Sequence, residues 1–173
     1  MNVELTGLAI AGELLEFRRL RAAEGYFELG MYEEADAELE QINVRSRNLT
    51  WLLALKLRSY AAEANWTLMG TVAEKLTDND PADVQWPIWW AYAAAKDQSV
   101  QDAQNILCRA LTQHPNDPRL HYAMGCCESR LHHFSTARRH LARAIQLDSR
   151  FKLVALNDEE LQPLWRAIEQ FDS

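Results

Sequence analysis

Turn residues are scarce in this 173-residue chain, which has six Gly and five Pro. A sandwich or barrel of short strands needs a turn signal about every eight to twelve residues. That supply falls short here, and long helices with few interruptions fit better. Cysteine is scarcer still: there are three, of which Cys126 and Cys127 are adjacent. They make no disulfide framework and point to a reducing, cytoplasmic compartment. Positive charge is in deficit, with a formal net charge of -7 and a pI near 5.2. A chain without a broad positive field does not hold phosphate backbones, so nucleic acid is not an expected partner.

No apolar run approaches the roughly 20 residues that span a bilayer. The stretch from Met1 to Gly12 has Glu4 and no basic residue ahead of its apolar part. Neither a membrane segment nor a leader is expected. Catalytic signatures are missing too: no Walker-type Gly loop, no Gly-x-Ser-x-Gly elbow and no His-Glu-x-x-His. His132, His133, His140, Cys126 and Cys127 do not stand at zinc spacing. A chain that is no enzyme and has no cofactor or metal is the expectation.

What the chain does have is a period. Four short linkers, Gly30-Met31-Tyr32, Ala64-Asn65-Trp66, Gln98-Ser99-Val100 and His132-His133-Phe134, recur every 34 residues. Downstream in the same register stand Ala35, Met69, Ala103 and Ala137, then Leu39, Ala73, Leu107 and Leu141, then Ile42, Leu76, Ala110 and Ala144. Upstream stand Ala23, Leu57, Ala91 and Gly125. Steps of three and four residues make one helical face. Small residues in these columns let antiparallel helices approach, and larger ones fill the space between hairpins. The apolar residue that opens each second helix (Tyr32, Trp66, Phe134) is expected to plug the hairpin end. Pro81 and Pro115 follow second helices, and Asp117-Pro118 reads as an N-cap with Pro at the first helical position.

This 34-residue period and its small-residue columns resemble the tetratricopeptide repeat (TPR), most closely in Met124-Gly125, Phe134, Ala137, Leu141 and Ala144. The resemblance implies an all-α fold, a right-handed superhelical solenoid of antiparallel helix hairpins with a C-terminal capping helix. It divides the chain into an extension of the first helix (1–15), four repeats (16–49, 50–83, 84–117, 118–151) and the cap (152–173). The periodicity runs as one helical pattern over 4–29. At the far end Asn157 and Glu160 read as a capping box, ahead of an apolar stripe of Leu161, Leu164, Trp165, Ile168 and Phe171. A solenoid needs its last repeat covered, which is the role expected of this helix.

The resemblance also implies a groove lined by the first helices of successive repeats. Its carried-over positions include Phe17, Leu20, Phe27, Trp51, Arg58, Tyr92, Lys96, Arg119, Tyr122, Cys126, Ser129 and Arg130. Of these, Phe17, Trp51, Arg58, Tyr92, Lys96, Arg119, Tyr122 and Arg130 form the candidate partner-binding set. Aromatic plates with cations between them are the material of binding hot spots. A partner segment both acidic and hydrophobic is expected. The family's carboxylate clamp is not, because Leu20 and Glu24 stand where it needs Lys and Asn. Trp86, Trp89 and Trp90 read as core, with Trp89 the most exposed.

The function expected is a non-catalytic scaffold or adaptor for another protein, as a monomer or weak homodimer. Two further roles fit the same resemblance. One is a small secretion-type chaperone pairing through Leu8, Ile10, Leu14, Leu15 and Phe17. The other is a filament-associated protein resembling the bacterial kinesin-light-chain-like type. Glu33, Glu34, Asp36, Glu38 and Glu40 make repeat one acidic while Arg138, Arg139, Arg143, Arg150 and Lys152 make repeat four basic, a pattern that suits a lattice or head-to-tail contact.

Overall fold

The computed structural model describes residues 2–42 and 49–171, with side chains for 14–42 and 50–171. The Leu8 and Ile10 side chains lie outside this description, whereas the repeat boundary expected after residue 49 falls within the helix Leu49–Ala62. The helices, in chain order, are α1 (Asn2–Glu28), α2 (Tyr32–Glu40), α3 (Leu49–Ala62), α4 (Trp66–Asn79), α5 (Gln85–Asp97), α6 (Val100–Gln113), α7 (Pro118–Arg130), α8 (Phe134–Leu147), α9 (Arg150–Leu156) and α10 (Trp165–Glu169). A 3-10 helix, Glu159–Leu164, precedes α10. No strand occurs among the described residues, and the chain is all-α, built of helix hairpins.

The second helices open at Tyr32, Trp66, Val100 and Phe134, so the sequence period is the structural period. Packing divides the chain into two compact units, one ending at Asp80 and one beginning at Pro81. In the first, Leu20, Ala23, Phe27, Ala35, Leu39, Ile42, Leu52 and Leu55 make a core between the hairpins α1–α2 and α3–α4. In the second, Ala91, Ala94, Ala103, Ile106, Leu107, Leu120 and Met124 join α5–α6 to α7. Every member of the four small-and-large columns is buried.

Column chemistry sets how near two helices come. A Cβ placed on Gly125 of α7 lies 2.7 Å from the Leu141 side chain of α8. That contact leaves no space for even a methyl group.

The linkers share one geometry in three of four cases. Gly30, Ala64 and His132 have φ of 73°, 55° and 61°. In each the next amide donates back to the carbonyl five residues earlier: Met31 to Tyr26 (2.9 Å), Asn65 to Tyr60 (2.8 Å), His133 to Glu128 (2.8 Å). This is the left-handed helix stop that Gly takes without strain, adopted here by an Ala and a His as well. Gln98 departs, with φ -113°. There Ser99 is extended and its Oγ accepts from the Asp102 amide at 3.1 Å, a side-chain cap of α6 like the one Asn65 Oδ1 gives α4 at 3.3 Å.

Two expectations are corrected. Tyr32 and Phe134 do not plug the hairpins but are 41% and 38% exposed. As the first residues of their helices they lean back over the linker, Tyr32 onto Phe27 (6.0 Å) and Phe134 onto His132 (5.8 Å). The cap is also not a single helix begun at Asn157. Asn157 closes α9, its Nδ2 donating to the Leu153 carbonyl at 2.9 Å. Asp158 is the N-cap of the 3-10 helix, accepting from the Glu160 amide at 3.0 Å. Pro163 falls inside this segment, which lets Leu161, Leu164 and Ile168 all turn inward onto Ala137, Leu141 and Ile145.

Relief of left-handed strain makes a first prediction. His132→Gly is expected to raise unfolding stability by up to about 1 kcal/mol, while Gln98→Gly lowers it by a similar amount. Gly125→Ala is expected to cost about 1–3 kcal/mol through overpacking against Leu141. Denaturant titration of the three variants checks both.

Candidate functional site

The site begins with the outer face of α5. Asp83 starts this helix by accepting from the Gln85 amide (3.0 Å). Its inner face, Trp86, Ala91, Ala93 and Ala94, is buried. Steps of three and four then put Gln85, Ile88, Trp89, Tyr92 and Lys96 on the other side. Trp89 and Tyr92 are 39% and 44% exposed and meet edge to face at 6.1 Å.

Opposite them α7 presents Arg119, Tyr122, Ala123, Cys126 and Arg130, and the cap adds Phe151, Asp158 and Glu160. Together they enclose an open cavity of about 640 Å³, mostly apolar, wholly within the second unit. Its back wall is fastened by polar contacts. The Tyr122 hydroxyl donates to Asp158 Oδ2 at 2.6 Å, and its ring packs on Phe151 at 5.3 Å. Ser129, expected in the groove, is buried and donates to the Glu160 carbonyl at 3.3 Å.

Electrostatics fix what the cavity can do. Burial, reinforced by Asp158, pushes the Cys126 thiol well up, and burial pushes Cys127 up to about 11 despite the opposing Arg130. Neither is a thiolate near neutral pH, so the pair offers no nucleophile. Tyr122 is raised by burial first and keeps its proton for Asp158. Arg119 was expected as an available cation, yet its guanidinium forks onto Asp117, Nε to Oδ1 at 3.1 Å and Nη2 to Oδ2 at 2.8 Å. Burial pushes Asp117 up, but the Arg119 side chain and amide outweigh it and hold the carboxyl below its ordinary value. Arg130 Nη2 lies 3.5 Å from the Ala95 carbonyl, a bridge from α7 to α5.

Of the candidate residues, the cavity gathers Tyr92, Arg119, Tyr122 and Arg130. Lys96 stands beside it, its Nζ 5.5 Å over the Tyr92 ring. Phe17, Trp51 and Arg58 belong to the first unit: Phe17 meets Trp51 edge to face at 5.7 Å, and Arg58 lies 5.4 Å over Phe27. Leu20 and Phe27 line no groove, because both are buried in the first core, where their α1 face meets α2 and α3. Trp89 was readable, since it sits three residues before Tyr92 on one helical face. Phe151, Asp158 and Glu160 were not, since they reach the site only through the folded cap.

A second polar cluster lies in the same hairpin. His121 of α7 and His140 of α8 face each other, Nδ1 to Nδ1, at 3.1 Å, and His121 Nε2 is 3.0 Å from the Pro115 carbonyl. A carbonyl only accepts, so His121 Nε2 carries hydrogen; in the neutral ring its Nδ1 then accepts from His140. Charging both rings leaves two donors on one contact. Burial, then His121 and Arg139, depress His140 below its ordinary value against the pull of Glu128. Among the described residues, no group of three or more His, Cys, Asp or Glu is placed to hold a metal. No helix there is long and apolar enough to cross a membrane.

No family model and no curated protein matches this chain. Solved structures do. A MamA RS-1 ArsTM double mutant is 17% identical with a TM-score of 0.67, over 78% of this chain and 76% of that one. MamA 41-end from Desulfovibrio magneticus RS-1 gives 14% and 0.66, over 91% and 94%. MamA AMB-1 gives 16% and 0.60, over 95% and 93%. What is shared is the fold. MamA is a TPR-like protein, and the helix-hairpin repeat read from the sequence is the architecture this chain has in common with it.

The histidine pair sets a pH dependence. With His140 lowered in the folded state, the unfolded chain binds that proton more tightly. The contribution of His140 is complete above about pH 6.5 and is lost as pH falls through its lower folded value. The urea midpoint is expected to drop between about pH 7 and pH 5, and His140→Gln to flatten that drop. An unchanged slope in the variant contradicts this account.

Proposed function

We propose that this chain is a non-catalytic protein-interaction scaffold. It takes an extended or helical segment of another protein, acidic and hydrophobic in character, into the second-unit cavity. The observation that carries this reading is the cavity itself, with Ile88, Trp89, Tyr92, Tyr122 and Phe151 as walls and Arg119 and Arg130 at its margin. Preformed aromatic walls leave the ordering cost with the incoming segment, and aromatic and Arg anchors contribute most of the energy in such contacts. The solved neighbours share this helix-hairpin fold, which suits the general role. Raised thiol pKa values favour binding over chemistry there.

The first unit offers a separate apolar surface. Leu14 and Leu15 are each 53% exposed and Phe17 46%. This observation favours, as a second reading, the secretion-type chaperone that pairs through its first helix.

The test is capture of partners from the source lysate by wild-type protein and by a Tyr92→Ala, Arg130→Glu variant of unchanged helicity. A protein segment held by wild type is expected to bind the variant at least about tenfold more weakly, since each lost anchor is worth roughly 1–2 kcal/mol. Equal affinity for the two refutes the cavity as its site.

A further inference from the structure

The two outermost hairpins in chain order carry second helices of opposite charge. On α2, Glu33, Glu34 and Glu40 are exposed, Asp36 and Glu38 are half-buried, and the helix has no Lys or Arg. On α8, Arg138 and Arg139 are exposed, Arg143 is half-buried, and there is no Asp or Glu. Asp36 and Arg138 occupy the same position of the repeat, so that position reverses its sign between the first repeat and the last.

Local partners already engage part of each stripe, by an ion pair on α2 and by neutral amides on α8. Glu38 is paired with Arg19 at 2.9 Å, and Arg143 donates to Asn116 and Gln146 at 2.7 Å each. Among the described residues, Glu33, Glu34, Arg138 and Arg139 have no ion pair. Each stripe also borders apolar surface. Beside the acids, Leu29 is 74% exposed, Met31 36% and Tyr32 41%. Beside the arginines is a recess of about 520 Å³ lined by Arg139, Ala142, Arg143, Gln146, Gln170 and Phe171.

We propose that the occupant of this basic recess is the acidic α2 face of a second copy of the chain. Charge complementarity argues for the copy: a chain of net charge -7 has one strongly basic helix, and it also has the acidic helix that matches it. Exposed ion pairs contribute little each, so the charges set register while Tyr32 and Phe171 supply contact area. The association is therefore weak and salt-sensitive. The two faces differ, so the contact is head-to-tail. It leaves one face open at each end and allows growth beyond a dimer. This contact does not involve the aromatic cavity, and the two can fail independently.

Sedimentation equilibrium of the full chain across the micromolar range tests the proposal. Wild-type mass is expected to rise with concentration at low salt and return to the monomer value as salt is raised. Glu33→Arg with Glu34→Arg makes both faces basic, and Arg138→Glu with Arg139→Glu makes both acidic. Each variant alone is expected to stay monomeric, and their equimolar mixture to assemble again. Milder neutral versions, with Gln at the same four positions, are expected to weaken assembly at least about tenfold per pair, about 1.4 kcal/mol. They keep the test valid if a reversal perturbs folding. A strictly monomeric wild type overturns the proposal. So does assembly that both neutral versions retain undiminished, or folded reversal variants whose mixture stays monomeric.

Discussion

In the first, third and fourth hairpins two antiparallel helices lie close enough that the facing column stays small, while in the second Leu57 and Met69 fill the same positions. The limit is sharpest where Gly125 meets Leu141, with no space for a methyl group. Ala35, Ala103 and Ala137 are fully buried in the corresponding column of the second helices. Dense interiors tolerate neither added nor missing methylenes, so these positions fix the separation of the helices and therefore where their outer faces point. The aromatic face of α5 and the mixed face of α7 line one cavity because α6, packed between Ala91 on one side and Leu120 and Met124 on the other, holds both.

That constraint explains what was legible beforehand. The columns are a property of local spacing, and the four second helices begin where the spacing puts them. The linkers show the limit of such reasoning. Ala64 and His132 adopt the left-handed stop that a glycine signals, although neither residue signals it. Gln98, which equally lacks a glycine, does not adopt it, although both Ser99 and the Asn65 that follows left-handed Ala64 cap the next helix with a side chain. Neither the identity of the linker residue nor a capping side chain after it separates the two geometries.

The cavity was half legible for a related reason. Tyr92, Tyr122 and Arg130 follow from helical spacing, whereas Phe151, Asp158 and Glu160 come from α9 and the 3-10 helix. Their contribution depends on the angle at which the cap returns over α7. Asn157 and Asp158 set that angle between them, one closing α9 and the other opening the next segment. Neighbouring Asn and Asp residues are both good caps, and sequence alone does not assign the two roles. Leu20 and Phe27 failed in the opposite direction: they stand at groove positions of the repeat, but the face of α1 that bears them packs against α2 and α3.

Cap and cavity are then one mechanical element. Tyr122 is both a wall of the cavity and the donor that holds Asp158, while Ser129 holds the Glu160 carbonyl from the same helix. A segment entering between Trp89 and Tyr122 meets a surface whose far side is already hydrogen-bonded in place. Such a wall has little freedom left to lose on binding, so the entropic cost falls on the partner. The same bonds put a limit on specificity. Asp158 and Glu160 sit beside Arg119 and Arg130, and Arg119 already spends its fork on Asp117. On the proposed reading, a partner carboxylate gains most near Arg130, which among the described residues makes a long contact to the Ala95 carbonyl, and the partner's apolar side chains decide the rest.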